Sequence, residues 1–213
     1  MTSGTREPRR RAATIQRRED ILKAALTTFG SKGYKNGPLT EIADQVDMTH
    51  AGILHHFGSK DQLLLEVLSY RDESDVADLE DKHIPGGVNL FRHLVTTAKL
   101  NMARPGIVQA YAVLSAESVT DDHPARAFFE NRYSILRAEV GDAFRVICAE
   151  RGVTDDSAID LGSAAILAVM DGLQVQWLLD PDAVDLGAAS EFAIQSIVDS
   201  VLRPRVSEFS TPD

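Results

Sequence analysis

Apolar residues recur three and four positions apart along most of the chain. Ile21, Ala24, Ala25, Thr28 and Phe29 mark one such face, and Leu63, Leu64, Val67 and Leu68 a second. Leu90, Leu94, Ala98 and Leu100 form a third, Ile135, Val140, Phe144 and Ile147 a fourth, and Leu161, Ala165, Val169 and Leu173 a fifth. This is the period of amphipathic helices. Nowhere do four or more β-branched or aromatic residues alternate with polar ones between turn signals, so no strand is expected. Pro38, Pro85, Pro105, Pro124, Pro181 and Pro204 fall between the periodic segments, where a residue without an N–H interrupts no helix. The pattern predicts an all-α chain with about nine helices, at roughly 15–32, 39–46, 50–57, 60–80, 88–103, 106–118, 124–150, 157–179 and 186–202.

The segment GPLTEIADQVDMTHAGILHHFGSKDQ, residues 37–62, reads as two short helices joined by a tight turn. Gly37 is expected to cap the first, with Pro38 at its first helical position. Ile42, Ala43 and Val46 face inward, and Ala43 is small enough for a second helix to cross closely. Asp47 falls at the turn, where the left-handed conformation is needed and Asp tolerates it better than most residues. Thr49 caps the second helix, which turns Ile53 and Phe57 inward. Ser59 and Gln62 have the spacing of a capping box at the start of the next helix. Together these are the marks of a helix-turn-helix.

Charge adds a division that the periodicity does not show. The net charge is −10, which taken alone argues against a polyanionic partner. Residues 1–70 nevertheless hold ten Lys and Arg against eight Asp and Glu, leaving twelve against twenty-four in residues 71–213. Such asymmetry suggests one part that meets a polyanion and another with a different task. Arg9, Arg10, Arg11, Arg17 and Arg18 add positive charge near the helix-turn-helix. A single cysteine, Cys148, excludes an internal disulfide and suits a reducing cytoplasm, where the protein is expected to work. The N-terminus has no apolar core of a secretory signal, and the apolar runs are broken by charge or glycine before 18 residues. No membrane is expected as a partner.

The histidines of MTHAGILHHFGSK (48–60) could suggest a metal. Adjacent helical side chains point about 100° apart, so His55 and His56 do not readily grip one ion. His50 lies five residues before His55 rather than four, and no carboxylate or thiol completes a set. No metal and no cofactor are expected. Residues 85–205 carry no GxSxG, Walker loop or CxxC. ExxH occurs once, at Glu80–His83, where a di-iron bundle needs two. No catalytic residues are assigned.

The order of an amphipathic helix ending in FGSKGY, two short helices, then HHFGSKDQLLLEVL resembles the DNA-binding domain of the TetR family of bacterial transcriptional regulators. Matching residues are Ile21, Ala24, Ala25, Phe29, Gly33, Tyr34, Ile42, Ala43, Ile53, His56, Phe57, Ser59, Lys60, Leu63 and Leu64. The resemblance is specific over 15–70 and architectural beyond. It implies a three-helix head at 15–60 after a disordered basic arm (1–14), a ligand-binding and dimerisation domain at 61–205, and a flexible tail at 206–213. It also implies that Thr49, His50, Ala51, Gly52, Leu54 and His55 meet the DNA groove, and that Thr40, His56 and Lys60 approach phosphates. Asp47 stands where the family usually has glycine, Pro38 where it has Ser or Thr, and Leu54 where it has Tyr, which removes a hydroxyl that typically meets DNA.

The resemblance further implies a homodimer on a palindromic operator, its last two helices pairing in a four-helix bundle through Gly162, Ala165, Ala168, Phe192, Ile194, Val198 and Val201. A small effector is expected among Phe91, Leu94, Met102, Tyr111, Phe128, Tyr133, Met170, Asp171, Gln174 and Trp177. Asp171 and Gln174 stand out because polar groups on so apolar a helix need a partner. The implied function is a ligand-responsive repressor rather than an enzyme. The alternative is a helical small-molecule-binding protein or enzyme that does not read DNA.

Overall fold

The computed structural model describes residues 6–75 and 86–203, with side chains placed for 12–72 and 86–203. Among the described residues nine helices and no strand are present: α1 (Arg6–Asn36), α2 (Leu39–Gln45), α3 (His50–Phe57), α4 (Lys60–Asp75), α5 (Val88–Asn101), α6 (Pro105–Glu117), α7 (Arg126–Ala149), α8 (Asp156–Leu179) and α9 (Leu186–Leu202). The all-α expectation holds. Helix α1 takes in residues 6–14, part of the stretch expected to be a disordered basic arm. The 206–213 tail, the Glu80–His83 motif, the predicted continuation of α4 over 76–80 and the side chains of Arg9, Arg10 and Arg11 lie outside the described residues.

Two compact units form, and they cut the chain differently from the expected division near residue 60. The first gathers α1 to α4 with Pro105–Phe129. Its core holds Ile21, Ala25, Phe29, Ile42, Ile53, Leu63, Leu64 and Val67, each fully buried. Helix α1 packs along α6 so closely that a Cβ added at Gly30 would lie 2.9 Å from that of Ala110.

In the second unit α5 and α8 both pack on α9. Its core joins Leu90 and Phe91 of α5, Val140, Phe144 and Ile147 of α7, Ile159, Ile166 and Met170 of α8, and Ile194, Val201 and Leu202 of α9. The rings of Phe91 and Phe144 meet at 4.8 Å. Cys148 is buried there, and burial pushes its thiol up, so it behaves as a small apolar residue. Helix α8 is, among the described helices, the one long and apolar enough to cross a membrane by length and composition, contrary to the reading that every apolar run is broken too early. Its Ile159, Ile166 and Met170 are core residues of this unit.

This packing redraws the expected interface. Gly162, Ile194 and Val201 are interior: a Cβ on Gly162 would come 2.6 Å from Val201 Cγ2 and 3.3 Å from the Phe144 ring. Val198 is half-buried against the same core. Ala168 and Phe192 do face outward, while Ala165 is half-buried in a groove with Leu161 and Ile197. The outward stripe of α8 is instead Leu161, Ala164, Ala168, Gly172, Val175 and Leu179, with Leu161 70% and Leu179 82% exposed. Both faces of α8 are apolar, so periodicity alone does not say which one turns inward.

Candidate nucleic-acid interface

Helix α2 ends in a turn whose Asp47 has φ 51°, the left-handed conformation expected of it. The N-cap of α2 is Pro38, with φ −79° and ψ 143°, one residue later than the expected Gly37. Pro38 offers no side-chain acceptor, and no side-chain bond caps this end. Thr49 caps α3 as expected, its hydroxyl oxygen accepting from the Gly52 N–H at 3.1 Å. Ser59 likewise accepts from the Gln62 N–H at 3.0 Å at the start of α4.

With these caps set, the helical period decides which way each side chain of α3 points. Ile53 and Phe57 are buried, while His50, Ala51 and His55 are exposed and Leu54 is half-buried beside them. Positions 50, 51, 54 and 55 therefore share one outward face. Thr40 and Thr49 are exposed, and Gly52 is half-buried behind the cap. The His55 and His56 rings stand 5.9 Å apart and edge-on. Burial, followed by the electrostatic influence of His55, Arg18 and Arg17, holds the His56 imidazole below the ordinary histidine range. His56 is therefore an N–H donor more than a cation near neutral pH.

Lys60 is drawn inward. Its ammonium donates to the Lys35 carbonyl at 3.4 Å and sits 4.6 Å from the centre of the Tyr34 ring. Burial lowers its pKa, against the pull of Asp61 and Glu117. The Tyr34 hydroxyl donates to the Asp61 carboxylate, and burial with that bond raises the phenol well above its usual range.

Arg17 and Arg18, read from the sequence as added charge for a polyanion, hold the two short helices. Arg17 donates to the carbonyl of Val46, the C-cap of α2, at 3.0 Å. Arg18 donates to the carbonyl of His56 in the last turn of α3, pairs with Glu66 of α4 and lies 4.4 Å over the Phe57 ring. Guanidinium groups suit the unpaired carbonyls of a helix C-terminus. No sequence spacing announces these contacts, because their partners lie 29 and 38 residues away.

The expected effector residues divide between the units. In the second unit Phe91, Met170, Gln174 and Trp177 are buried, Leu94 is half-buried, and Met102 is 41% exposed. Asp171 accepts from the Tyr133 hydroxyl at 2.6 Å. In the first unit Tyr111 lies under the Arg71 guanidinium, 4.4 Å away, and against Phe129, whose ring also meets that of Phe128. Tyr111 thus serves that unit's core.

An exposed recognition face on a capped eight-residue helix, set beside a second helix across a left-handed turn, defines a helix-turn-helix DNA-binding protein. Residues 21–67 match the tetR family of bacterial regulatory proteins, and residues 91–203 match the C-terminal part of BetI-type transcriptional repressors. The chain belongs to the TetR family of transcriptional regulators, and it is not an enzyme. It is 29% identical to the HTH-type transcriptional regulator TcmR of Streptomyces glaucescens over 89% of this chain and 84% of that protein. It is 25% identical to the HTH-type transcriptional regulator TtgR of Pseudomonas putida over 79% of this chain and 83% of that one. Its fold matches NalD, the secondary repressor of the MexAB-OprM multidrug efflux pump in Pseudomonas aeruginosa, with a TM-score of 0.66 and 20% identity over 90% of this chain and 98% of that one.

Proposed function

We propose that this regulator is a ligand-responsive repressor that binds a palindromic operator as a homodimer in the cytoplasm. The observation that carries the reading is the outward face of α3, with His50, Ala51 and His55 exposed, Leu54 half-buried beside them, and Ile53 and Phe57 anchored in the core. Thr49 and Gly52 keep the helix N-terminus narrow enough for a major groove, where such helices read base edges. Thr40 and His56 lie at the flanks as phosphate donors, and Lys60 joins them on leaving the Tyr34 ring. Two heads on half-sites about one helical turn apart multiply a modest contact set into specific affinity.

The outward stripe of α8, with Phe192 of α9, is the face for the second copy. Its small Ala164, Ala168 and Gly172 allow close approach, and Leu161, Val175 and Leu179 supply apolar area. The effector site is assigned to the second unit, among Phe91, Leu94, Met170, Gln174 and Trp177, with the Tyr133–Asp171 pair as its polar element. Effector binding shifts the dimer toward a state whose two heads no longer fit both half-sites. The test is a footprint of the purified dimer on the DNA flanking its own gene, with His55→Ala beside it. Protection by wild type, weakened in the variant with the dimer intact, is expected. No protection at low salt overturns the proposal.

A further inference from the structure

Helix α1 bends at Gly33, where φ 73° and ψ 173° leave the helical region. The carboxylate of Glu117, the last residue of α6, is seated on this bend. It accepts from the Tyr34 N–H at 2.7 Å, and a Cβ added at Gly33 would lie 1.9 Å from Glu117 Oε1. The positive φ calls for glycine here, and a side chain at this position would push the carboxylate off the bend. Tyr34 carries the contact onward: its hydroxyl holds Asp61, its ring faces the Lys60 ammonium, and it lies tilted against Phe29 with ring centres 5.9 Å apart. Lys60 and Asp61 open α4, with only Gly58 and Ser59 between them and α3.

We propose that Glu117 is a positioning residue for operator binding: it fixes the Gly33 bend and Tyr34, and Tyr34 sets the junction between α3 and α4 and hence the exit of the recognition helix. The inference rests on the regulator reading above and deepens it.

His123 gives this contact a signature that plain packing lacks. Its side chain is 1% exposed and its ring meets Tyr34 edge-on at 5.4 Å. Nδ1 accepts from the Ala125 N–H at 3.3 Å, so the neutral ring carries its proton on Nε2, which lies 3.8 Å from Glu117 Oε2. A second proton would set Nδ1–H against the Ala125 N–H. The charges facing His123 are Glu117 of α6, Lys35 of α1 and Asp61 of α4. Burial lowers the histidine against the pull of Glu117, with Lys35 lowering and Asp61 raising it further on. A lowered histidine favours the neutral, docked arrangement. That arrangement is fully held above the ordinary histidine value of about 6.5 and is lost as pH falls below it.

The test uses the whole 213-residue chain and three variants: E117A, E117Q, which keeps a neutral acceptor, and H123Q, which can accept from Ala125 but does not titrate. Amide exchange in segments 33–37 and 58–62 should quicken by about tenfold in E117A and less in E117Q, as loss of one charge-assisted bond implies. Protection in α8 and α9 should stay unchanged. Operator affinity should fall about tenfold in E117A at pH 7.5. The gap between wild type and E117A should narrow as pH falls below about 6.5, and H123Q should keep its protection in segment 33–37 across that range. If E117A does not fold, E117Q carries the same comparison. Wild-type exchange and affinity in the Glu117 variants overturn the proposal while leaving the regulator reading intact. Absence of a wild-type footprint overturns both.

Discussion

Arg18→Ala measures how far the orientation of α3 depends on a clamp from α1. Arg18 serves three partners at once: the His56 carbonyl, the Glu66 carboxylate and the Phe57 ring. The hydrogen bond from a charged group to the carbonyl contributes about 1.5 kcal/mol, the low end of its range because the side chain is partly open. Arg18 and Glu66 are 35% and 29% exposed, so their ion pair is discounted to roughly 0.5 kcal/mol. The stacking on Phe57 adds about 0.5 kcal/mol. The loss is therefore about 2–3 kcal/mol, local to the first unit. Tryptophan fluorescence would miss it, because the single Trp177 lies in the second unit. Native-state hydrogen exchange at the amides of α3 reads it directly, as exchange about 30- to 150-fold faster in the variant. Arg18→Lys should recover less than half, since one ammonium does not reproduce the planar fork over Phe57. A change below about 0.5 kcal/mol, the scatter of ordinary surface substitutions, would refute the clamp.

Leu161→Glu should dissociate the proposed dimer without unfolding the chain, because Leu161 is 70% exposed; sedimentation against a thermal melt separates the two effects, and an intact dimer would remove this stripe from the interface. Asp47→Gly should stabilise the head by about 0.5–1 kcal/mol, relieving a non-glycine residue at φ 51°. Unchanged or lower stability in urea would show that Asp47 makes a compensating contact. His55→Ala should lower operator affinity by about 1–3 kcal/mol if the ring reads a base edge. In a salt titration, a change in slope with no loss of sequence preference would instead make it a phosphate contact.

The helices, the Asp47 turn and the Thr49 and Ser59 caps were legible in the sequence because each depends on residues within about four positions of one another. The inward turn of Ile53 and Phe57 was legible in the same way, whereas the set of α3 residues expected to meet DNA came from the family resemblance. The tertiary structure decided whatever depends on partners far along the chain. It gave Arg17 and Arg18 carbonyls to hold, turned Lys60 onto Tyr34, and brought Glu117 to an amide 83 residues away. It also chose between the two apolar sides of α8, placing Gly162 against Val201 and Phe144 and leaving Leu161 and Leu179 outside. Periodicity states that a helix has an apolar face; where two faces qualify, only the neighbouring helices that fill one of them determine which is core and which awaits a partner.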